Sequence, residues 1–263
     1  MVQAPGRKVL LIGWDSADWE MIDPLLASGQ MPALARLLEE GVRGNLATLQ
    51  PVLSPMLWTS IATGKRADKH GICGFTEPLP DGSGIGPVRS TSRRCKAIWN
   101  ILSQSGMKSN VVGWFATDPA EPINGVMVTD RFLGLPLNGD SSGTALAEAA
   151  HPAALAKSAA GLRVSTESLF ATDLLPFIPR LAEIDLKADD RPLKLARRLA
   201  RAASVQAIAT ALIQSEPWNL MAVYFDAIDQ FGHEFMAYHP PRLKGVSERD
   251  FDLYQDVMRG CYR

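Results

Sequence analysis

The stretch Val9-Leu-Leu-Ile-Gly-Trp-Asp15 decides the fold, because it is a continuous apolar run that ends in a carboxylate. Runs of this kind are typical of strands buried in parallel sheets. A helical pattern follows at residues 31–40, opened by Pro32 and closed by Gly41. A strand followed by a helix is the opening unit of a doubly wound α/β sheet.

The alternation of the two patterns continues along the chain. Helices are predicted at residues 96–106, 192–214 and 248–263, and strands at 110–114, 125–128 and 219–225. The sequence therefore predicts an α/β fold with three α/β/α layers, built on a mostly parallel, doubly wound sheet within a single domain of residues 1–263. Residues 129–190 break the rhythm, and we interpret them as an insertion or cap within that domain.

Composition excludes several classes of function. Of 263 residues, 46% are hydrophobic and 21% charged, and a net charge of -1 argues against duplex nucleic acid as a partner. No apolar run approaches the roughly 20 residues of a membrane-spanning helix, and residues 1–8 do not resemble a secretory signal, so a cytoplasmic location is predicted. Three cysteines in no pattern disfavour a disulfide framework and a cysteine-bound zinc site. The basic run at residues 191–201 is interpreted as a solvated helix face.

Two other segments carry polar groups suited to catalysis. Ser54 lies where residues 51–64 turn from loop into helix, shortly before the pair Thr63-Gly64. Asp229 and His233 follow the apolar run that ends at Phe225. Ligands of open α/β sheets gather at the carboxyl ends of the strands, where these groups are predicted to lie with Asp15. Two acidic strand ends, a hydroxyl and an Asp-x-x-x-His pair indicate a hydrolytic metal centre.

These segments resemble the alkaline phosphatase superfamily, in its type I phosphodiesterase and nucleotide pyrophosphatase branch, over residues 8–130 and 218–240. The resemblance implies metal-dependent hydrolysis of a small-molecule phosphate ester through a covalent phosphoryl-serine at Ser54. It also implies two zinc ions, one bound by Asp15 with Ser54 and the other by Asp229 with His233, although other divalent metals could serve. Ions about 4 Å apart would require the four side chains to converge within a sphere of roughly 8 Å diameter.

Two departures from the family pattern affect what can be expected. Nucleotide pyrophosphatases carry an asparagine three residues after the nucleophile, and this chain has Leu57, which puts nucleotide substrates in doubt. The family also completes its metal sites with a later Asp-His pair and one further histidine, and no Asp-His dipeptide occurs here. We therefore expect the chain to lack the C-terminal region of the family domain, to leave each zinc with two protein ligands instead of three, and to be inactive as it stands.

Each candidate residue also has an ordinary structural interpretation. Asp15 could cap a helix over residues 16–25, Ser54 could be a turn residue, and Asp229 with His233 could be an i,i+4 surface contact. Asp226 either contacts the substrate or supports a metal ligand, or it is a structural carboxylate at a strand end. The remaining histidines receive no catalytic role: His70 shapes a loop, and His151 and His239 have no assigned site.

Three alternatives to a phosphodiesterase or phosphatase remain open. A sulfatase of the same superfamily would carry a Cys/Ser-x-Pro-x-Arg signature, which Ser54-Pro-Met-Leu-Trp58 does not match. A phosphomutase would need a sugar-phosphate site that the sequence does not reveal. A catalytically silent relic or binding module is favoured by the missing ligands.

Overall fold

The computed structural model describes residues 7–136 and 142–263, which group into two compact units. The first unit takes its described residues from 1–13, 47–163 and 204–224, and the second consists of residues 14–46, 164–203 and 225–263. No helix within the described ranges is both long and apolar enough to cross a membrane.

The secondary structure alternates along the chain as the sequence predicts. The strands are β1 (Val9–Trp14), β2 (Thr76–Pro78), β3 (Ile85–Pro87), β4 (Ser109–Val112), β5 (Gly125–Val128), β6 (Ala150–His151) and β7 (Leu220–Phe225). The helices are α1 (Trp19–Ala27), α2 (Pro32–Glu40), α3 (Ser54–Thr63), α4 (Ala67–His70), α5 (Ile98–Gln104), α6 (Ser142–Glu148), α7 (Ala156–Gly161), α8 (Ala171–Leu174), α9 (Arg191–Ser215), α10 (Ala227–Phe235), α11 (Glu248–Tyr254) and α12 (Val257–Tyr262).

A five-stranded sheet in the order β1-β7-β4-β5-β6 forms the framework. Strand β4 pairs in parallel with both β5 and β7, whereas the short β6 runs antiparallel to β5. Strand β1 is parallel to β7, because the amides of Val9 and Asp15 donate to the carbonyls of Asn219 and Phe225 at one constant offset. The α/β class with a mostly parallel central sheet and flanking helices is therefore confirmed.

The central strands have the composition that burial on both faces demands. Residues 109–112 of β4 and 220–224 of β7 are all buried. The polar Asn110 is accommodated because its side-chain oxygen accepts a hydrogen bond from the amide of Val126, at 3.1 Å. Around these strands the first unit packs an aromatic cluster in which Trp58 contacts Trp114 and Tyr224 edge-on, with ring centroids 5.4 and 4.8 Å apart.

Strand β1 forms where the sequence predicts it, but the expected burial is wrong. It pairs only with β7 and lies at the edge of the sheet. Its apolar side chains stay largely exposed, with 54% of Val9, 48% of Leu10 and 51% of Ile12 accessible. A continuous apolar run predicts burial on both faces, and here the run is a sheet edge that the described residues leave uncovered.

The predicted helices are observed with shifted boundaries. Residues 31–40 form α2, residues 96–106 contain α5, and residues 192–214 lie within α9. The predicted helix at 248–263 is two helices, α11 and α12, separated at Gln255 and Asp256. The expected insertion at 129–190 consists of short elements that fall in both units, and residues 137–141 of it lie outside the described residues.

The basic residues of α9 are not a simple solvated face. In the second unit Arg191 lies between Asp189 and Asp250, 2.7 and 2.6 Å from their carboxylates. Its guanidinium also lies 4.3 Å from the ring centre of Tyr254 and donates to the hydroxyl of Tyr238. One cation thus joins the start of α9 to α11 and to the segment after α10, and it lowers the pKa of Asp189 to about 2.

Replacing Arg191 with alanine should lower the free energy of unfolding by about 2 kcal/mol, because two carboxylates would lose their charged hydrogen bonds. The matched control is Lys194→Ala, which removes an exposed i,i+4 pair with Asp190 and should change it by about 0.5 kcal/mol or less. Urea unfolding near neutral pH measures both. Equal effects of the two substitutions would contradict a structural role for the Arg191 cluster.

Candidate active site

Ser54 is the first residue of α3, which places its hydroxyl at a helix N-terminus. Leu53 is the N-cap and Pro55 occupies the second helical position, a residue that the first turn tolerates because it needs no amide donor there. Ser54 is half-buried, and its hydroxyl hydrogen-bonds to none of the described residues. A hydroxyl at this position faces the positive end of the helix dipole, where phosphate groups bind readily.

The opposite end of α3 is held by a buried histidine. Gly64 ends the helix in the left-handed conformation that favours glycine, with φ of 64°. Beyond it, the fully buried His70 lies with Nε2 2.9 Å from the Ser60 hydroxyl, which in turn donates to the carbonyl of Met56. The amide of Ile72 donates to Nδ1 of the same ring. Since Nδ1 accepts, the neutral ring carries its proton on Nε2 and donates it to Ser60.

The other three predicted site residues lie in the second unit. Asp15 directly follows β1, is 8% exposed, and donates its amide to the carbonyl of Phe225, at 3.0 Å. Asp229 lies in the first turn of α10, which begins just after β7. His233 is one turn further along the same helix, with 75% of its side chain exposed. The structure thus places Asp15 and the start of α10 at the carboxyl ends of paired strands.

Ser16 links the two carboxylate-bearing segments, although no sequence pattern singles it out. Its hydroxyl donates to Oδ1 of Asp229 across 2.8 Å, and its backbone adopts φ of 62°, which is unusual for a residue other than glycine. Such strain persists only where the surroundings enforce it, and it concentrates at functional sites. The helix after β1 is capped by Asp18, which accepts from the amide of Glu20, so the alternative role of Asp15 as a helix cap is wrong.

The donor atoms of Asp229 and His233 have a spacing that fits a shared metal ion. Oδ1 of Asp229 and Nε2 of His233 are 3.6 Å apart, too far for a hydrogen bond. Two ligands of one tetrahedral zinc lie roughly 3.3–3.6 Å from each other, given metal–ligand distances of about 2.0–2.2 Å. The hydroxyl of Ser16 would orient the carboxylate, as outer-shell partners of metal ligands commonly do. Across residues 7–136 and 142–263, no group of three or more His, Cys, Asp or Glu side chains is placed to hold a metal.

Comparison with known families identifies the chain. Residues 9–255 match the family described as type I phosphodiesterase / nucleotide pyrophosphatase. The chain belongs to this family. The sequence resemblance to that branch of the alkaline phosphatase superfamily is therefore confirmed, and the match covers nearly the whole chain.

Comparison with solved structures returns a phosphonoacetate hydrolase from Sinorhizobium meliloti 1021, crystallised with phosphonoformate and with phosphonoacetate. Both superpositions have a TM-score of 0.45 at 14% sequence identity and cover 98% of this chain. They cover 53% and 52% of the hydrolase, so this chain spans about half its length. Comparison with curated proteins gives no match.

Within this type I phosphodiesterase chain, Asp226 and His151 have structural partners, whereas Nδ1 of His239 is buried without a hydrogen bond to any described residue. Asp226 accepts from Nε of Arg201 at 2.8 Å, which favours its interpretation as a structural carboxylate. His151 lies 3.1 Å from the carbonyl of Ile123. Burial lowers the pKa of the half-buried His239, and the nearby charge of Arg259 lowers it further.

His70 generates a prediction about pH. Burial lowers its pKa in the folded protein, and the charge of Arg93 adds to the effect, whereas a backbone hydrogen bond with Met56 and the charge of Asp68 oppose it. The unfolded chain, with a histidine pKa of about 6.5, therefore binds the proton more readily than the folded protein does. The contribution of His70 to stability is thus present above that value and is lost as pH falls below it.

We expect His70→Gln to weaken the pH dependence of stability between pH about 7.5 and about 5.5. The substitution should also cost about 1–2 kcal/mol near neutral pH, because Ser60 and the Ile72 amide lose a shared partner. Urea unfolding at both pH values is the measurement, and His151→Gln is the control that removes a histidine elsewhere in the first unit. An unchanged pH dependence in His70→Gln would show that the buried ring does not carry the effect.

Proposed function

We propose that the chain contributes the nucleophile and the metal-binding carboxylates of a phosphate ester hydrolase. The observation that carries the proposal is the position of Ser54 at the N-terminus of α3, with a hydroxyl uncommitted to any described partner. Family membership supports phosphoester hydrolysis as the reaction class. The proposal also includes a small-molecule phosphate monoester or diester as the substrate and the cytoplasm as the location.

In the proposed reaction Ser54 Oγ attacks the phosphorus of the ester. A new O–P bond forms, the bond to the leaving oxygen breaks, and that oxygen leaves with its electron pair and takes up a proton while the Ser54 proton is lost to solvent. Water then attacks the phosphoryl-serine, releasing phosphate or its monoester and restoring the hydroxyl. The positive end of the α3 dipole would stabilise negative charge on the non-bridging oxygens throughout.

In the second unit, Asp229 with His233 would hold one metal ion, and Asp15 would supply a ligand to another. When bound, divalent cations of this kind neutralise phosphate charge and assist the entering and leaving oxygens. In the second unit, Ser16 and Gln230 donate to the two oxygens of Asp229, at 2.8 and 3.3 Å, which would fix the plane of the carboxylate. The pair of protein ligands formed by Asp229 and His233 is fewer than the three that catalytic zinc normally has.

The nucleophile is tested by Ser54→Ala. In a form of the protein that turns over an aryl phosphodiester or monoester with added zinc, we expect a loss of turnover of several orders of magnitude, since a covalent nucleophile is removed. Ser105→Ala, at the end of α5 in the same unit, is the control and should leave turnover unchanged. Mass spectrometry of the acid-quenched protein should find a phosphoryl group on Ser54. Turnover within about tenfold of the wild type in Ser54→Ala would refute the assignment.

The metal site is tested by direct binding, which needs no turnover. Asp229→Asn and His233→Gln should each weaken zinc binding by about tenfold or more, because each removes one of two ligands. Asp252→Asn removes an exposed carboxylate of the second unit and serves as the control. Competition with a zinc-sensitive dye measures the affinity. A second candidate function is a binding module without catalysis. The observation that favours it is that the described residues include no three-ligand cluster. A wild-type chain that binds no zinc would support this second candidate.

A further inference from the structure

A polar cavity lies in the first unit, and none of the residues assigned above lines it. It has a volume of about 340 Å³ and is lined by Pro87, Val88, Arg89, Asp118, Asp130 and Arg131. Volumes above about 300 Å³ are typical of sites for small molecules. The cavity lies at the carboxyl ends of β4 and β5, since Asp118 follows the former and Asp130 the latter. This is the edge where open α/β sheets bind their ligands.

The loop after β4 forms one wall of the cavity. Its backbone is strained, and hydrogen bonds to a carboxylate fix its conformation. Ala116 adopts φ of 55°, a conformation that costs a residue other than glycine of order 1 kcal/mol or more. The carboxylate of Asp130 stabilises it by accepting from the amides of Ala116 and Thr117, at 3.0 and 3.2 Å. The strained turn is therefore a fixed feature of the cavity, and strain that is enforced in this way is characteristic of binding sites.

The backbone on the opposite wall is equally fixed around Arg89. The amide of Arg89 donates to the hydroxyl of Ser92, and the amides of its neighbours Val88 and Ser90 donate to the carbonyls of Phe75 and Asp118. In contrast, the guanidinium of Arg89 forms no hydrogen bond or ion pair with any residue in the ranges 7–136 and 142–263. An anchored backbone thus presents an unpaired cation at the cavity.

The charged side chains that line the cavity favour binding of an anion, because one arginine has no partner within the described ranges. Asp118 already faces Arg131, whose guanidinium lies 3.4 Å from it with 56% of the side chain exposed. Asp130 is directed at the backbone amides of Ala116 and Thr117, from which its two carboxylate oxygens accept hydrogen bonds. Among the charged side chains that line the cavity, Arg89 is therefore the one whose charged group has no hydrogen bond or ion pair with a described residue. A guanidinium in this state matches the paired oxygens of a phosphate or carboxylate group.

We propose that Arg89 and Arg131 form a subsite for a second anionic group of the substrate. The assignment to a substrate rests on the proposed function, because it presumes that the chain hydrolyses a phosphate ester. The site would select esters that carry a phosphate or carboxylate at a distance from the scissile bond. Arg89 would bind that group directly, and Arg131 would do so while keeping its contact with Asp118.

The subsite can be tested without turnover and without metal. Inorganic phosphate is titrated into the whole chain in the presence of a chelator, with calorimetry for affinity and the arginine Nε–Hε NMR signals for location. We expect the Arg89 signal to shift and Arg89→Gln to weaken phosphate binding by about tenfold or more, as loss of a charged bidentate contact should. Arg89→Lys should bind with intermediate affinity, which provides a folded variant that retains the charge.

Two controls separate this site from others. Arg36→Gln removes an exposed arginine of α2 in the second unit and should leave the affinity unchanged. Ser54→Ala reports any phosphate that binds at the N-terminus of α3 instead, because Ser54 does not line the cavity. The proposal is overturned if the wild type binds no phosphate, if Arg89→Gln binds as tightly as Arg36→Gln, or if Ser54→Ala abolishes binding.

Kinetics distinguish a substrate group from free phosphate. With an ester that carries a second anionic group, Arg89→Gln should raise KM and leave kcat unchanged, whereas an ester without that group should show no change in KM. An equal rise in KM for both esters would refute selection by this subsite. Phosphate binding at Arg89 together with undiminished turnover in Ser54→Ala would refute the proposed function while leaving the anion site itself established.

Discussion

Pairing of β7 with strands on both of its sides is the constraint on which the arrangement depends. The strand is buried from Leu220 to Tyr224 and holds β4 in parallel register on one side and β1 on the other. A shift of one residue in this register would move every side chain of β7 to the opposite face of the sheet. The same register sets the level at which the chain leaves each strand. It is the reason that Asp15 meets the carbonyl of Phe225.

Much of this framework could be predicted from the sequence, because strands buried in parallel sheets appear as continuous apolar runs. The runs at β4, β5 and β7 and the helical pattern of α9 are found close to where they are predicted. The exposure of β1 could not be read in the same way. Hydrophobicity along a strand reports which residues avoid water, and it does not report whether a neighbouring strand is present to cover them.

Some residues of the candidate site could also be identified from the sequence, and others could not. Asp15 directly follows one apolar run, and Asp229 comes four positions after another run ends at Phe225, so both are recognisable in the sequence. Ser16 does not, because its importance comes from a hydrogen bond to a carboxylate 213 positions away and from a left-handed backbone. Arg89 was missed for a related reason. An arginine in a loop is unremarkable until the fold places an enclosed wall beside it.

Strand β1 also has a consequence for how the protein is made. Its pairing partner β7 lies about 210 residues later in the chain, as the hydrogen bond from the Val9 amide to the Asn219 carbonyl shows. At about 5–20 residues per second, a ribosome needs roughly 10–40 s to synthesise the intervening chain. Throughout that interval an uncharged apolar strand has emerged without the neighbour that will bind it. Strand β1 is therefore synthesised long before β7 and can join the sheet only after β7 has emerged.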